Sequence, residues 1–192
     1  MNHTIQCVAF DGSRKIAAGE LREVAVKAQK TGLPNILIFN DATSEVIDLD
    51  LGGTARELRL RLGSETPTAS PAEEPKAPGR PKLGVVAREV TLLPRHWEWL
   101  TVQPGGASVA LRKLVDEARR AHRDIDRLRL AKEATYRFLS AMAGDEEGFE
   151  EAARGLFAGD AIQFAQHSRT WPLDVREHAA NLAARVFEGS ET

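Results

Sequence analysis

The sequence predicts an α+β protein, and three observations support this fold class. Over residues 1–63, short β-branched and aromatic runs alternate with helical periodicity. Residues 64–78 contain four prolines and no large apolar side chain, and the remainder carries long apolar repeats at helical spacing. We therefore predict a small α+β domain over 1–63, a Pro-rich disordered linker over 64–78, and a mainly helical domain over 79–192, led by a basic arm and one short strand.

The N-terminal domain is predicted to have the element order β-β-α-β-β-α. Asp11-Gly12-Ser13 is a turn signal, and Gly32 with Pro34 stops a helix. Thr54 and Glu57 have the spacing of a reciprocal capping box that opens a second helix, ending near Gly63. The predicted strands are 4–10, 14–18, 36–39 and 46–51, and the helices start at Leu21 and Thr54.

The C-terminal region is predicted to be a series of helices. A continuous apolar stripe indicates one long helix from about Val109 to Met142, with His122 as a hydrogen-bonded core residue. Two later Ala-Gly-Asp stops, at 143–145 and 158–160, each combine a left-handed glycine with an aspartate cap. The later helices are expected at about 146–158, 161–170 and 172–187.

Bulk composition favours a soluble cytoplasmic protein. The net charge is −2, and Cys7 is the only cysteine, so neither an internal disulfide nor a thiolate zinc cluster is expected. No signal peptide and no membrane span are predicted, because no apolar run is long enough.

Charge is unevenly distributed along the chain. Residues 79–125 carry nine basic and five acidic side chains, whereas residues 126–192 carry eight basic and twelve acidic ones. A surface that contacts phosphates is therefore expected just after the linker. The nine basic residues are Arg80, Lys82, Arg88, Arg95, Arg112, Lys113, Arg119, Arg120 and Arg123.

The same segment contains a candidate DNA-binding motif. The basic arm at 79–84 resembles the Gly-Arg-Pro core of AT-hook segments, which lie in the minor groove. A predicted strand at 88–94, a helix at 95–102, a Pro-Gly-Gly break and a helix capped by Ser108 together resemble the ribbon-helix-helix family. That resemblance implies a homodimer whose paired strands enter the major groove. The candidate DNA-binding residues are Arg80, Lys82, Arg88, Thr91, Arg95, Ser108, Arg112 and Lys113.

Two residues depart from that pattern, and other interpretations stay open. Glu89 and Leu93 would face the bases, where an acidic and a large apolar residue are unusual. A helix-turn-helix accounts for the helices but not for the strand. A plain structural helical domain is equally compatible with the spacing. Trp97 and Trp99, two apart on a helix, point to different faces, and an exposed one fits a non-catalytic protein-interaction module.

The chain as a whole resembles a bacterial family, domain of unknown function 2239. The resemblance implies a bacterial cytoplasmic origin and brings no activity with it. The residues that carry it are 8–12, 46–51, 79–100, 105–120 and 149–160.

No catalytic constellation is found, so the protein is not expected to be an enzyme. The five histidines lack metal-binding spacing, and no glycine-rich phosphate loop or nucleophile elbow is present. Asp48 and Asp50 share a strand face, which fits a cation site less well than a solvated surface. Neither a cofactor nor a metal is expected.

Overall fold

The computed structural model describes residues 5–63, 86 and 88–189. Within these residues it has a three-stranded sheet near the N-terminus and eight helices, which confirms the α+β fold class. The predicted linker at 64–78 and the basic arm at 79–84 lie outside the described residues. No helix in the described part of the chain is long and apolar enough to cross a membrane.

The elements alternate between strands and helices early in the chain and are all helical from Pro94 onward. They are β1 Gln6–Asp11, β2 Arg14–Glu20, α1 Leu21–Thr31, β3 Ile36–Asn40, α2 Ala55–Gly63, α3 Pro94–Thr101, α4 Ala107–Ala121, α5 Arg123–Met142, α6 Phe149–Ala158, α7 Ala161–His167 and α8 Leu173–Phe187.

The sheet has the strand order β2-β1-β3, and both neighbouring pairs are antiparallel. Gly12, with a φ of 54°, forms the predicted turn between β1 and β2. Successive side chains of a strand point to opposite faces of a sheet. Val8 and Phe10 accordingly pack into one apolar cluster, and Cys7 and Ala9 into another that includes α1. Both faces of the sheet are therefore covered.

The predicted boundaries of α1 and α2 are confirmed. α1 ends at Gly32, which takes the left-handed conformation with a φ of 65°. At the start of α2, the Thr54 N–H donates to Glu57 Oε2 at 2.7 Å, and the Glu57 N–H donates to Thr54 Oγ1 at 3.2 Å. This is the reciprocal capping box. The hydrogen bonds from Thr54, led by that of its backbone N–H, lower the pKa of the Glu57 carboxyl.

Replacing the capping residue is expected to destabilise the protein measurably. Thr54→Ala removes the hydroxyl acceptor at the helix start and should cost about 1 kcal/mol in the free energy of unfolding. Equilibrium urea unfolding followed by circular dichroism measures the change. The matched control Thr54→Ser keeps the hydroxyl and should remain close to the native protein. Equal losses in the two variants would contradict a capping role.

Residues 46–51 do not form the predicted fourth strand. One isolated bridge joins this segment to β3, between Val46 and Phe39. The chain then leaves the sheet, and α1 provides a hydrogen-bond partner in place of a neighbouring strand. The side-chain amide of Gln29 donates to the Leu51 carbonyl, 22 residues away in sequence, at 2.8 Å. This partner lies outside any local sequence window.

The predicted single helix over 109–142 is in fact two helices, because α4 ends at Ala121 and α5 begins at Arg123. His122 lies between them with φ −102° and ψ 6°, and its N–H donates to the Ala118 carbonyl at 2.9 Å. Its ring nitrogen Nδ1 lies 2.9 Å from the same oxygen. His122 is exposed, so its prediction as a core residue is wrong.

Of the two predicted Ala-Gly-Asp stops, the second is confirmed, and the first is confirmed only as a helix end. α5 does end at Met142, but Gly144 is not left-handed and Asp145 does not cap the next helix. Asp160 caps α7, and its Oδ1 accepts from the amides of Ile162 and Gln163 at 3.0 and 2.9 Å. Before α6, the left-handed glycine is Gly148, with a φ of 83°, and α6 starts directly after it. A Cβ at Gly148 would lie 2.6 Å from the His167 carbonyl oxygen, so close packing of the chain there requires glycine.

The described residues group into two compact units. Unit 1 comprises residues 5–63 and 124–189, and unit 2 comprises residues 86 and 88–123. This grouping differs from the sequence-based division, which placed all of 79–192 in one domain. The difference arises because the C-terminal helices and the N-terminal sheet share one apolar cluster.

Aromatic rings form the centre of the unit 1 core. The ring centroid of Phe138 in α5 lies 5.5 Å from that of Phe10 in β1 and 5.3 Å from that of Phe39 in β3. The ring of His178 in α8 lies 4.7 Å from that of Phe138. Polar contacts add to this packing, since Arg185 Nη2 lies 3.1 Å from Asp41 Oδ2. The sheet is thus fixed to α5 and α8 by apolar and ionic contacts together.

Candidate nucleic-acid interface

Two helices joined by a glycine turn make up most of the described part of unit 2. Pro94 occupies the first turn of α3, where its missing N–H is no disadvantage. Gly105 and Gly106 link α3 to α4 with φ values of 86° and 78°, which agrees with the predicted break. A Cβ at Gly105 would lie 3.1 Å from Val109 Cγ1, so space as well as backbone conformation favours glycine.

The strand predicted at 88–94 is absent. Residues 88–93 have no regular secondary structure, and Pro94 already belongs to α3. Leu93 has an extended backbone, with φ −67° and ψ 151°. An extended segment becomes a strand only when it pairs with another, and none of the described residues pairs with 88–93.

The predicted DNA-binding residues that the structure describes all lie on the surface of unit 2. Arg80 and Lys82 lie outside the described residues. The exposed ones divide between the segment before α3, α3 itself and α4. They are Arg88, Thr91, Arg95, Ser108, Arg112 and Lys113.

Ser108 does not have the capping role predicted for it. α4 begins one residue earlier, at Ala107, and Gly106 occupies the cap position without a side-chain hydrogen bond. The carbonyl of Ser108 instead accepts from Arg112 Nε at 3.1 Å. The free backbone amides at the start of α4 therefore lack the hydroxyl partner on which the prediction depended.

α4 carries two rows of basic side chains. Lys113 and Arg120 are seven residues apart and share one face, and Arg112 and Arg119 form the adjacent row. Arg120 Nε donates to the Asp116 carbonyl at 3.0 Å. None of these four cations forms an ion pair within the part of the chain that the structure describes. The candidate list omitted Arg119 and Arg120, although their spacing of seven from Arg112 and Lys113 is a usable signal.

Unit 2 also exposes an unusual amount of apolar surface. Of its described residues, Leu100 and Ala110 are the buried ones. In α4, Leu114 is 44% exposed and Val115 is 54% exposed. The large apolar side chains exposed in unit 2 are Val86, Val90, Leu93, Trp97, Trp99, Val102, Leu114 and Val115.

Asp50 and Cys7 are the residues of unit 1 that were considered for metal binding and thiol chemistry. Across the described residues, no group of three or more His, Cys, Asp or Glu side chains is arranged to hold a metal ion. Asp50, considered above as a cation ligand, forms an ion pair with Arg61. The hydrogen bond from the backbone amide of Gly52, together with this arginine, lowers the pKa of the Asp50 carboxyl. Burial, with a smaller effect of Asp41, raises the pKa of the Cys7 thiol to about 11, which makes a reactive thiolate rare at neutral pH.

Comparison with known proteins identifies one family. A family model described as an uncharacterized protein conserved in bacteria, DUF2239, matches residues 6–183. Neither the curated proteins nor the solved structures contain a match. The matched range includes all described residues of unit 2 and most of those of unit 1.

Proposed function

The chain belongs to the bacterial family DUF2239, whose description names no activity, and we propose that it is a DNA-binding protein that acts as a homodimer. Unit 2 contacts the DNA, and unit 1 serves as a sensor for a ligand or partner. The protein works in the bacterial cytoplasm as a small regulator. It needs neither a cofactor nor a metal for this role.

The basic surface of α4 is the observation that carries the proposal. Lys113 and Arg120 lie on the polar side of this helix, away from Leu114 and Ala118, and both are exposed, so they are free to contact phosphates. Phosphate contacts of this kind supply most of the affinity of non-specific DNA binding. Arg88 and Arg95 are further exposed basic side chains of the same unit.

Removing the row formed by Lys113 and Arg120 is expected to weaken DNA binding. Lys113→Ala combined with Arg120→Ala should lower the affinity for a random-sequence duplex about tenfold at low salt. It should also reduce the slope of log K against log salt by about 2, one for each lost phosphate contact. Fluorescence anisotropy with the full chain measures both quantities.

A matched pair of charges in unit 1 provides the control. Arg14→Ala combined with Arg22→Ala removes the same net charge from exposed positions outside unit 2 and should leave the affinity nearly unchanged. Arg80→Ala with Lys82→Ala tests the basic arm in the same assay. Absence of binding by the native protein, or equal losses in the α4 variant and the unit 1 control, would refute the proposal.

A protein-interaction module without a nucleic-acid role is the second candidate. Trp97 and Trp99 favour it, since they are 40% and 50% exposed and tryptophan is enriched at protein interfaces. This candidate predicts that Trp97→Ala and Trp99→Ala abolish capture of a protein partner and that duplex DNA produces no anisotropy change. A salt-dependent anisotropy change that the α4 variant reduces would decide in favour of DNA binding.

A further inference from the structure

Asp116 lies at the centre of the basic surface of α4. Residues three and four positions away are its neighbours on the surface of a helix. All four of these positions hold a cation, namely Arg112, Lys113, Arg119 and Arg120. Asp116 is exposed, and its carboxylate forms no ion pair or hydrogen bond within the described residues. Its contact with Arg120 is made by the backbone carbonyl. An unpaired carboxylate therefore stands among four basic side chains.

The two basic rows lie on opposite sides of Asp116. Successive residues of an α-helix are turned by about 100° around its axis. Arg112 and Arg119 are therefore turned about 40–60° to one side of Asp116, and Lys113 and Arg120 are turned about 40–60° to the other. Within each row the two residues are about 10 Å apart along the axis. The polar face of α4 thus has positive charge on both flanks and a negative charge between them.

Phosphate groups cannot be the partner of this carboxylate, because they are negative and have no donor. Duplex DNA does offer donors to it. In the major groove, cytosine presents its N4 amine and adenine presents its N6 amine. The major groove is about 12 Å wide and admits a helix, whereas the minor groove, about 6 Å wide, does not. Adenine has the acceptor N7 beside its amine, which repels a carboxylate, so cytosine is the better partner.

We propose that α4 lies in the major groove of DNA and that Asp116 accepts a hydrogen bond from the N4 amine of a cytosine. The two basic rows then contact phosphates on either side of this base. Phosphate contacts position the helix, and the contact of Asp116 with the base gives the sequence preference. The inference rests on the proposed function and names the groove and the base that this surface recognises.

Selection from a pool of duplexes with random central positions tests the inference with the full chain. Sequencing of the DNA retained by the native protein should show cytosine enriched at one position, with roughly tenfold discrimination against the other bases. Asp116→Ala should lose this enrichment. Glu117→Ala is the matched control, since it removes the same charge from the next exposed residue and should keep the preference. Circular dichroism verifies that each variant is folded.

Affinity for the unselected pool separates base contact from a structural role. Asp116→Ala and Glu117→Ala should each bind the pool about threefold more tightly at low salt, because each removes a negative charge near the phosphates. A structural role of Asp116 alone predicts that Asp116→Ala binds all sequences more weakly and keeps the cytosine preference. That result would overturn the inference.

A modified base identifies the hydrogen bond itself. The preferred cytosine is replaced by the pyrimidine analogue that lacks the exocyclic amine. This change should weaken binding of the native protein roughly tenfold relative to its effect on Asp116→Ala, because a double-mutant cycle isolates the contact between the two altered groups. Equal losses in the two proteins would contradict a direct contact.

The outcomes distinguish this inference from the proposed function. Duplex binding without a cytosine preference, or with a preference that Asp116→Ala retains, would overturn the inference and leave the proposed function standing. Absence of duplex binding by the native chain would refute the proposed function and this inference with it.

Discussion

Phe138→Ala is expected to lower the free energy of unfolding by about 3–5 kcal/mol, the range for removing a fully buried aromatic ring. Phe138 is 0% exposed and lies against Phe10, Phe39 and His178, so its ring contacts two strands and α8 from its place in α5. Truncation would leave a cavity at the junction of the sheet and the C-terminal helices. Such a loss is a large part of the stability of an ordinary domain.

Equilibrium urea unfolding of the full chain measures this loss. Phe157→Ala makes the same substitution at a ring that is 49% exposed, and it should cost about 1 kcal/mol or less. Phe138→Leu retains most of the volume and keeps the measurement possible if the alanine variant does not fold. Equal effects at positions 138 and 157 would contradict the placement of Phe138 at the centre of the unit 1 core.

Acidification is expected to destabilise unit 1 through His178. Burial lowers the pKa of this imidazole to about 4 in the folded protein, against 6.5 for the exposed ring. Lys15 and Arg185 act in the same direction, and Asp41 opposes them. Between pH 6.5 and pH 4 the unfolded chain binds a proton that the folded chain does not, so stability falls as the pH is lowered through this window.

The expected loss from His178 is about 2–3 kcal/mol once the pH reaches 4. Urea midpoints measured at several pH values between 4 and 7 give the effect as a difference between variants, since carboxylates also titrate there. His178→Leu should flatten the dependence, whereas the exposed control His96→Gln should leave it unchanged. An unchanged pH dependence in His178→Leu would exclude this histidine as the cause.

Local signals in the sequence predicted local structure well. Four confirmed features each depend on residues within four positions of one another. They are the turn at Gly12, the helix end at Gly32, the capping box at Thr54 and the cap at Asp160. The prediction of a strand at 46–51 was wrong because this segment depends on a contact that is distant in sequence. The carbonyl of Leu51 accepts from the side chain of Gln29, a partner 22 residues away that a pattern of alternating polarity does not reveal.

The candidate interface was predictable in part. Charge counting located the basic segment, and the helical spacing located α4, because both are properties of contiguous sequence. The predictions of a strand at 88–94 and of a cap at Ser108 were wrong. Each depends on a backbone conformation, and resemblance to a sequence motif does not establish that conformation. The packing of Phe10 and Phe39 on α5 and α8 joins distant parts of the chain, and no periodicity indicates it.

The joining of the two ends of the described chain in unit 1 has a consequence for biosynthesis. Phe10 and Phe39 leave the ribosome well before Phe138, which covers them in the finished protein. At roughly 5–20 residues per second, the intervening chain takes about 5–20 seconds to synthesise. During that interval one face of the nascent sheet remains open to water and to other chains. The newborn polypeptide, more than the mature protein, is therefore the species that we expect to depend on chaperones.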